Sequence, residues 1–176
     1  MSDADIQRPP GKIDRLLIPE NVLRNTIVGL SYAAGREMLC YWLGVEVRGE
    51  QGRTHALVTT VAFPRIESTY AQFQLIEGQM GLITAWCAEH HAWLLAQVHT
   101  HPTDEPHSEA DECWPASHRR GFLSVVFPFF ASVSSVRNPS WRAYESEGSG
   151  LWTEIAADER FQIVQDVWMP RSGPTT

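Results

Sequence analysis

Short apolar runs rich in β-branched residues alternate along the chain with longer stretches whose apolar positions recur at helical spacing. The short runs predict strands at residues 16–18, 38–47, 56–63, 92–99 and 122–127. The longer stretches predict one helix from Glu20 to about Ala34, closed by Gly35, and a second helix from Leu75 to His91. The pattern therefore predicts strands and helices that follow one another along one chain.

The C-terminal third of the chain predicts a β-hairpin. Strands at 141–145 and 151–155 flank Ser-Glu-Gly-Ser-Gly, which indicates a loose connecting loop. Connections after residue 121 are too short for parallel crossovers, so the strands there should be antiparallel. Together the elements predict an α/β fold, a mixed sheet flanked by helices. We expect a flexible leader at residues 1–12, a single domain at 13–168 and a tail at 169–176.

Composition excludes several classes of protein. The 176 residues suit one domain, and a hydrophobic content of 43% is too high for a disordered chain. A net charge of −7 with no basic block argues against nucleic acid as a partner. The three cysteines have no CxxC spacing, which is typical of a reducing compartment, and no apolar run is long enough for a membrane span. We expect a cytoplasmic protein that binds no membrane.

The segment from His99 to Asp111 carries the candidate chemistry. His99 and His101 end a predicted strand, and their two-residue spacing places both imidazoles on one face. Ser108 is a candidate N-cap for a following helix, whose first turn would hold Asp111. Two histidines and one carboxylate leave a fourth position free on zinc, as a catalytic site requires. Such a site lowers the pKa of water to about 7.

A hydrolytic metal site also needs a base, and Glu37 is the candidate we favour. Glu37 precedes a buried strand, where burial would raise the pKa of its carboxyl group. Glu77 and Glu89 are weaker candidates because both belong to the second predicted helix, where a solvated face is the default. The hydroxyl of Ser108 could donate to an oxyanion.

Other polar residues of this segment have simpler interpretations. An HxH pair alone often occurs by chance, and only its combination with the downstream serine and aspartate makes a metal site specific. His107, which lies in the loop between the histidine pair and Asp111, is interpreted as a solvated loop histidine. Thr100 should point to the opposite face from His99 and His101, and we expect a structural role for it.

The combination of Glu37, His-Thr-His-Pro from His99 and Ser-Glu-Ala-Asp from Ser108 resembles the JAMM motif of the MPN/JAB metalloprotease superfamily. The chain is similar to compact prokaryotic JAB-type proteins that consist of one domain with a cytidine-deaminase-like fold. The resemblance implies that His99, His101 and Asp111 bind Zn²⁺, that Glu37 is the general acid and base, and that Ser108 supports the oxyanion. Six residues separate His101 from Ser108, one fewer than is usual in the family.

The resemblance also implies a function. The family cleaves isopeptide or peptide bonds at the C-terminus of ubiquitin-like proteins, and some bacterial members occur in antiphage operons with E1- and E2-like enzymes. A ubiquitin-like protein or its conjugates are therefore the expected partners, and the operon enzymes are further candidates. Two alternatives remain open: C-terminal processing of a sulfur-carrier protein for cofactor or cysteine biosynthesis, and a non-catalytic interaction scaffold of the same fold.

Overall fold

The computed structural model describes residues 12–32, 35–49, 52–108, 111–112 and 115–165. Ten strands and three helices are assigned within these ranges. In chain order they are β1 Arg15–Pro19, α1 Glu20–Ser31, β2 Leu39–Arg48, β3 Thr54–Ala62, β4 Ile66–Ser68, β5 Phe73–Leu75, α2 Gln79–Glu89, β6 Trp93–Thr100, β7 Leu123–Phe127, β8 Arg142–Gly148, β9 Leu151–Ile155, α3 Ala157–Arg160 and β10 Phe161–Val164.

Eight of the strands form one mixed sheet in the order β10-β1-β3-β2-β6-β7-β8-β9. Strand β1 runs parallel to β3 and β10, and β6 runs parallel to β7. The remaining neighbours are antiparallel, including β7, β8 and β9 after residue 121. Strands β4 and β5 form a separate hairpin. The predicted fold class, a mixed sheet with flanking helices, is confirmed.

Strand β2 lies in the middle of the sheet and is buried on both faces. Its side chains alternate, so that Leu39 and Tyr41 pack towards α2 while Cys40 and Trp42 pack towards α1. The indole Nε1 of Trp42 donates a hydrogen bond to Thr26 Oγ1 at 2.9 Å, which satisfies the buried polar group. The two helices therefore lie on opposite faces of the sheet.

The same strand contains a register shift at Gly44. Pairing with β3 shifts between Leu43 and Gly44, and pairing with β6 shifts between Trp42 and Leu43. A Cβ atom placed on Gly44 would lie 1.9 Å from the carbonyl oxygen of Leu57. Only a residue without a side chain fits this close approach of two strands.

The second predicted helix begins later than the sequence pattern indicated. It starts at Gln79, because Phe73–Leu75 forms strand β5, which pairs with β4. Leu75 packs against the apolar cluster beneath α2 although it is not helical. In the sequence, its apolar side chain continues the helical spacing of α2 towards the N-terminus. The start predicted at Leu75 was therefore wrong.

Three further details differ from the prediction. The hairpin between β8 and β9 is tight: β8 extends to Gly148, and Ser149 and Gly150 form the turn with φ of 58° and 81°. Strand β10 was not predicted, and it adds a parallel edge next to β1. Helix α1 ends at Ser31, earlier than expected.

The chain ends bear on the predicted domain limits. Residues 1–11 and 166–176 lie outside the described part, so the leader, the tail and the limits at 13 and 168 stay predictions. In the part of the chain that is described, no helix has both the length and the apolar character needed to cross a membrane.

Candidate active site

The two histidines of the motif stand where β6 ends. His99 is completely buried, and its position in β6 pairs with Leu39 of β2 and Val126 of β7. His101 follows the strand, and its backbone N–H donates to Phe127 O at 2.9 Å. Because the backbone on both sides of β6 is hydrogen-bonded, the positions of the two imidazoles are fixed by the sheet.

The side chains of His99, His101 and Asp111 converge on one point. The two Nε2 atoms are 3.2 Å apart, His99 Nε2 lies 3.1 Å from Asp111 Oδ1, and His101 Nε2 lies 3.2 Å from Asp111 Oδ2. Ligands about 2.0–2.2 Å from a tetrahedral metal such as zinc are separated by about 3.3–3.6 Å. Two imidazole nitrogens and a carboxylate at these separations fit a divalent metal.

The electrostatics of the triad fit a cation as well. Burial opposes ionisation of Asp111, but the charge of His99 and the hydrogen bonds from His101, His99 and Ser108 hold the pKa of this carboxyl group well below its usual range. Burial likewise opposes protonation of His101, but its hydrogen bond to Asp111 and the charge of Asp111 raise the pKa of His101 above its ordinary value. The site is therefore built to balance a buried carboxylate with positive charge.

Ser108 and Asp111 form a reciprocal pair at the end of the motif loop. Ser108 Oγ donates to Asp111 Oδ2 at 2.7 Å, Ser108 N donates to the same oxygen at 2.8 Å, and Asp111 N donates back to Ser108 Oγ at 3.2 Å. This is the arrangement of a capping box, although residues 109–110 lie outside the described part. The shortened loop still brings Asp111 to both histidines, and the serine hydroxyl is directed at Asp111.

Glu37 is buried beside this triad, with 6% of its surface exposed. Its backbone N–H donates to Thr69 O at 2.9 Å, which anchors the segment before β2. Burial raises the pKa of the Glu37 carboxyl to about 7, and the charge of His101 partly opposes the rise. The competing candidates Glu77 and Glu89 are exposed on the segment that contains α2. The structure thus brings Glu37, and neither competitor, into a buried position with the histidines and Asp111.

Comparisons with known proteins agree with this site. No family model matches the chain. A protein of Sinorhizobium fredii named "Probable metalloprotease y4jG" is 26% identical over 129 residues, which are 69% of this chain and 74% of that protein. The motif geometry together with this metalloprotease relative supports an assignment to the JAMM/MPN family.

Two solved structures align with this chain. The solution structure of protein DSY2949 from Desulfitobacterium hafniense aligns with a TM-score of 0.61 and 12% identity, over 86% of this chain and 94% of that one. The crystal structure of AF2198, a JAB1/MPN domain protein from Archaeoglobus fulgidus, aligns with a TM-score of 0.48 and 13% identity, over 85% of this chain and 98% of that one.

The β4–β5 hairpin lies against the candidate active site. The ring of Phe73 packs against the imidazole of His99 with centroids 5.7 Å apart, and Thr69 in the turn accepts the Glu37 hydrogen bond. Tyr70, also in the turn, packs edge-on against Phe130 at 5.6 Å. The hairpin therefore helps to bury two of the motif residues, and the sequence pattern did not predict it.

A turn of unusual backbone conformation supports His101 from the other side. Phe129, Phe130 and Ala131 have φ of 53°, 54° and 60°, the left-handed region that side-chain-bearing residues rarely adopt. Phe130 N donates to the carbonyl oxygen of His101 at 3.0 Å. Backbone strain of this kind tends to occur at functional sites, which agrees with the position of this turn beside a motif histidine.

His107 corrects the interpretation from sequence. Its ring is not solvated: it stacks on Tyr144 with centroids 4.3 Å apart, and its Nε2 lies 2.9 Å from Ser124 Oγ. One ring nitrogen lies within 4.8 Å of donor atoms of His99 and Asp111. Burial lowers the pKa of His107 to about 4, helped by the charge of His99. The only sequence signal was its place inside the loop between the motif residues, and that signal is weak.

Proposed function

We propose that this JAMM/MPN chain is a zinc-dependent isopeptidase or peptidase that hydrolyses the amide bond at the C-terminus of a ubiquitin-like protein. It would release the ubiquitin-like protein from conjugates or precursors. The observation that carries the proposal is the triangle of His99, His101 and Asp111 donor atoms, with edges of 3.1–3.2 Å, next to a buried Glu37. Chemistry of this kind needs both a metal and a base within one pocket.

The metal would be held by His99 Nε2, His101 Nε2 and the carboxylate of Asp111. Zinc in such a site acidifies water and polarises a carbonyl oxygen. Three protein ligands are the number found in catalytic zinc sites, which keep one position open, whereas structural sites use four. The donor set therefore supports a catalytic site over a purely structural one.

Glu37 would move the proton. A carboxyl group whose pKa lies near 7 exchanges a proton easily at neutral pH. Glu37 would accept the proton of the attacking water and then donate it to the nitrogen of the leaving amine. The anchoring of its backbone N–H on Thr69 limits the positions that its side chain can reach.

The choice of a ubiquitin-like substrate rests on the JAMM/MPN assignment and on the completeness of the motif. A sulfur-carrier protein would be processed by the same chemistry, so the residues do not distinguish the two substrates. A scaffold needs neither a buried base nor a convergent set of ligands, and this chain retains both. E1- and E2-like enzymes would be operon partners that build the conjugates.

Cleavage of a C-terminal fusion tests the proposal. The substrate is a ubiquitin-like protein encoded beside this chain, fused at its C-terminus to a reporter. The enzyme is compared with Glu37→Ala, with Glu89→Ala as a matched exposed control, and with chelator-treated protein. We expect cleavage by wild type and Glu89→Ala, none by Glu37→Ala although it binds one zinc, and none after chelation.

The outcomes separate the parts of the proposal. Zinc-replete Glu37→Ala that still cleaves would refute the role of Glu37. A chain that binds no zinc would refute the ligand assignment. A chain that binds zinc but cleaves neither this fusion nor an isopeptide conjugate, and instead trims a sulfur-carrier precursor, would replace the substrate with the alternative one.

A further inference from the structure

The pocket around His107 is built on one row of the sheet. Gln97 of β6, Ser124 of β7 and Tyr144 of β8 are paired in register, so their side chains project from the same face. His99 lies two residues beyond Gln97 and therefore also projects from this face. The row thus places three polar side chains beneath the loop that carries His107.

The hydrogen bonds of this row favour one arrangement of protons. Ala116 N donates to Gln97 Oε1 at 2.9 Å, which identifies the other amide atom, Nε2, as the donor to Ser124 Oγ at 3.2 Å. Ser124 Oγ thereby accepts from Gln97, and its own proton is available for His107 Nε2 at 2.9 Å. A hydroxyl donating to Nε2 leaves the proton of the neutral imidazole on Nδ1.

The ring of His107 is held firmly in this orientation. It stacks on Tyr144 with an interplanar angle of 11°, and Trp152 packs edge-on at a centroid distance of 5.0 Å. The backbone N–H of His107 donates to the Tyr144 hydroxyl at 3.1 Å. Asp104, in the same loop, forms an ion pair with Arg142 at 3.1 Å. The loop is therefore tied to β8 at two points.

The Nδ1 atom of His107 is buried and has no hydrogen-bond partner among the described residues. A buried donor without an acceptor is rare and calls for an explanation. The ring lies close to the triad, since one of its nitrogens is within 4.8 Å of donor atoms of His99 and Asp111. An oxygen atom of a ligand bound at the triad would supply the missing acceptor.

We propose that His107 Nδ1–H donates a hydrogen bond to the carbonyl oxygen of the scissile bond as that oxygen becomes negative. The inference rests on the proposed amide hydrolysis and adds a catalytic residue to it. His107 keeps its proton throughout: it stabilises charge and transfers nothing. This role complements Ser108, whose hydroxyl is engaged by Asp111. In this tautomer Nδ1 carries a proton and cannot bind a cation, so the proposal gives His107 no role as a fourth metal ligand.

Ring NMR tests the inference without a substrate. In the zinc-loaded protein labelled with ¹⁵N-histidine, we expect His107 as the Nδ1–H tautomer, and Ser124→Ala should allow the other tautomer. Acetohydroxamate, which offers oxygen atoms to zinc, should slow the exchange of the Nδ1 proton and shift it downfield. An Nε2–H tautomer, or an Nδ1 proton that does not respond to acetohydroxamate, would overturn the proposal.

Variants test the same role in turnover. His107→Phe removes the donor, and we expect kcat to fall about 100-fold with an unchanged KM, as for other oxyanion donors. His107→Asn returns an N–H near the position of Nδ1 and should recover part of the rate. His118→Phe, at an exposed histidine, is the matched control. Zinc affinity should be the same in all three, whereas a large loss in His107→Phe would show a metal ligand and overturn the proposal.

The two proposals fail in different ways. If no fusion is cleaved, the proposed function is at fault, while the tautomer and the response to acetohydroxamate still report on His107. If cleavage is normal in His107→Phe, the donor role is wrong and the proposed function stands.

Discussion

Thr100 and Met38 are joined by two hydrogen bonds that connect the histidine motif to the candidate base. Met38 N donates to Thr100 Oγ1 at 2.9 Å, and Thr100 N donates to Met38 O at 3.0 Å. Met38 follows Glu37 directly, so the residue between the two histidines also fixes the backbone of the glutamate. The sequence predicted a structural role for Thr100, and the pairing shows what that role is.

Replacing Thr100 tests this connection. Thr100→Val keeps the shape but leaves Met38 N–H without its acceptor, which should cost about 1–3 kcal/mol of unfolding free energy. We expect zinc content to be retained and kcat to fall, because the backbone next to Glu37 loses one of its two anchors. Thr100→Ser, which keeps the hydroxyl, should restore most of the unfolding free energy and most of kcat. Chemical denaturation and steady-state kinetics measure the two effects, and equal kinetics in the valine and serine variants would contradict the anchoring role.

A second prediction concerns the capping box of the motif. Ser108→Ala removes the bond to Asp111 Oδ2 and should weaken zinc binding about 10-fold, as expected for a partner that orients a ligand. Asp111→Ala removes the ligand itself and should weaken zinc binding by far more, beyond about 100-fold. Competition with a chromophoric chelator measures both. Unchanged affinity in Ser108→Ala with reduced kcat would instead favour the oxyanion role that the resemblance implies.

The buried carboxyl of Glu37 predicts a pH dependence of stability in the metal-free protein. Burial raises its pKa from 4.5 to about 7, so between these values the folded state binds more protons than the unfolded state. The contribution of the Glu37 carboxyl group to the free energy of unfolding is therefore fully present below about pH 4.5. It is lost as pH rises through about 7. This loss of unfolding free energy can reach about 3 kcal/mol.

Glu37→Gln has no proton to lose and should escape this decline. Relative to wild type, the metal-free variant should gain unfolding free energy between pH 5 and pH 8. Urea denaturation at both values measures the difference, with Glu89→Gln as the exposed control. A constant difference between Glu37→Gln and wild type across this range would show that the carboxyl group titrates normally.

Gly44 supplies a prediction about the sheet. Because a Cβ atom there would meet the Leu57 carbonyl oxygen, Gly44→Ala must push β2 and β3 apart. We expect a loss of about 1–3 kcal/mol, the usual cost of overpacking. The matched control is Gly81→Ala in α2, where an added Cβ meets nothing within 4 Å. A wild-type midpoint in urea for Gly44→Ala would mean that the strands separate without cost.

The sequence was most informative where chemistry and periodicity coincide. The alternation in strands and the HxH spacing were enough to predict which side chains share a face, and the capping pattern was enough to place Asp111 after Ser108. The metal-ligand and catalytic roles of these residues stay predictions that the geometry supports. The cytoplasmic location and the ubiquitin-like partner also stay predictions.

Contacts between distant segments account for what the sequence did not predict. His107 is a polar residue in a polar loop, and its burial depends on Ser124 and Tyr144, which lie on strands that follow later in the chain. The β4–β5 hairpin is built from two three-residue strands, too short to leave a periodic signal. Strand β10 has only four residues and is stabilised by pairing with β1 at the other end of the chain.

The left-handed turn at Phe129–Ala131 implies a thermodynamic coupling between metal and backbone. A turn held in a rare conformation stores free energy, on the order of 1–3 kcal/mol for each such residue, which local opening would release. A metal that fixes His101 also fixes the carbonyl oxygen to which Phe130 N–H is bonded. Occupancy of the site should therefore slow amide hydrogen exchange at Phe130 more than at amides of the distant β8–β9 turn, so this one amide would report on metal loading from the backbone itself.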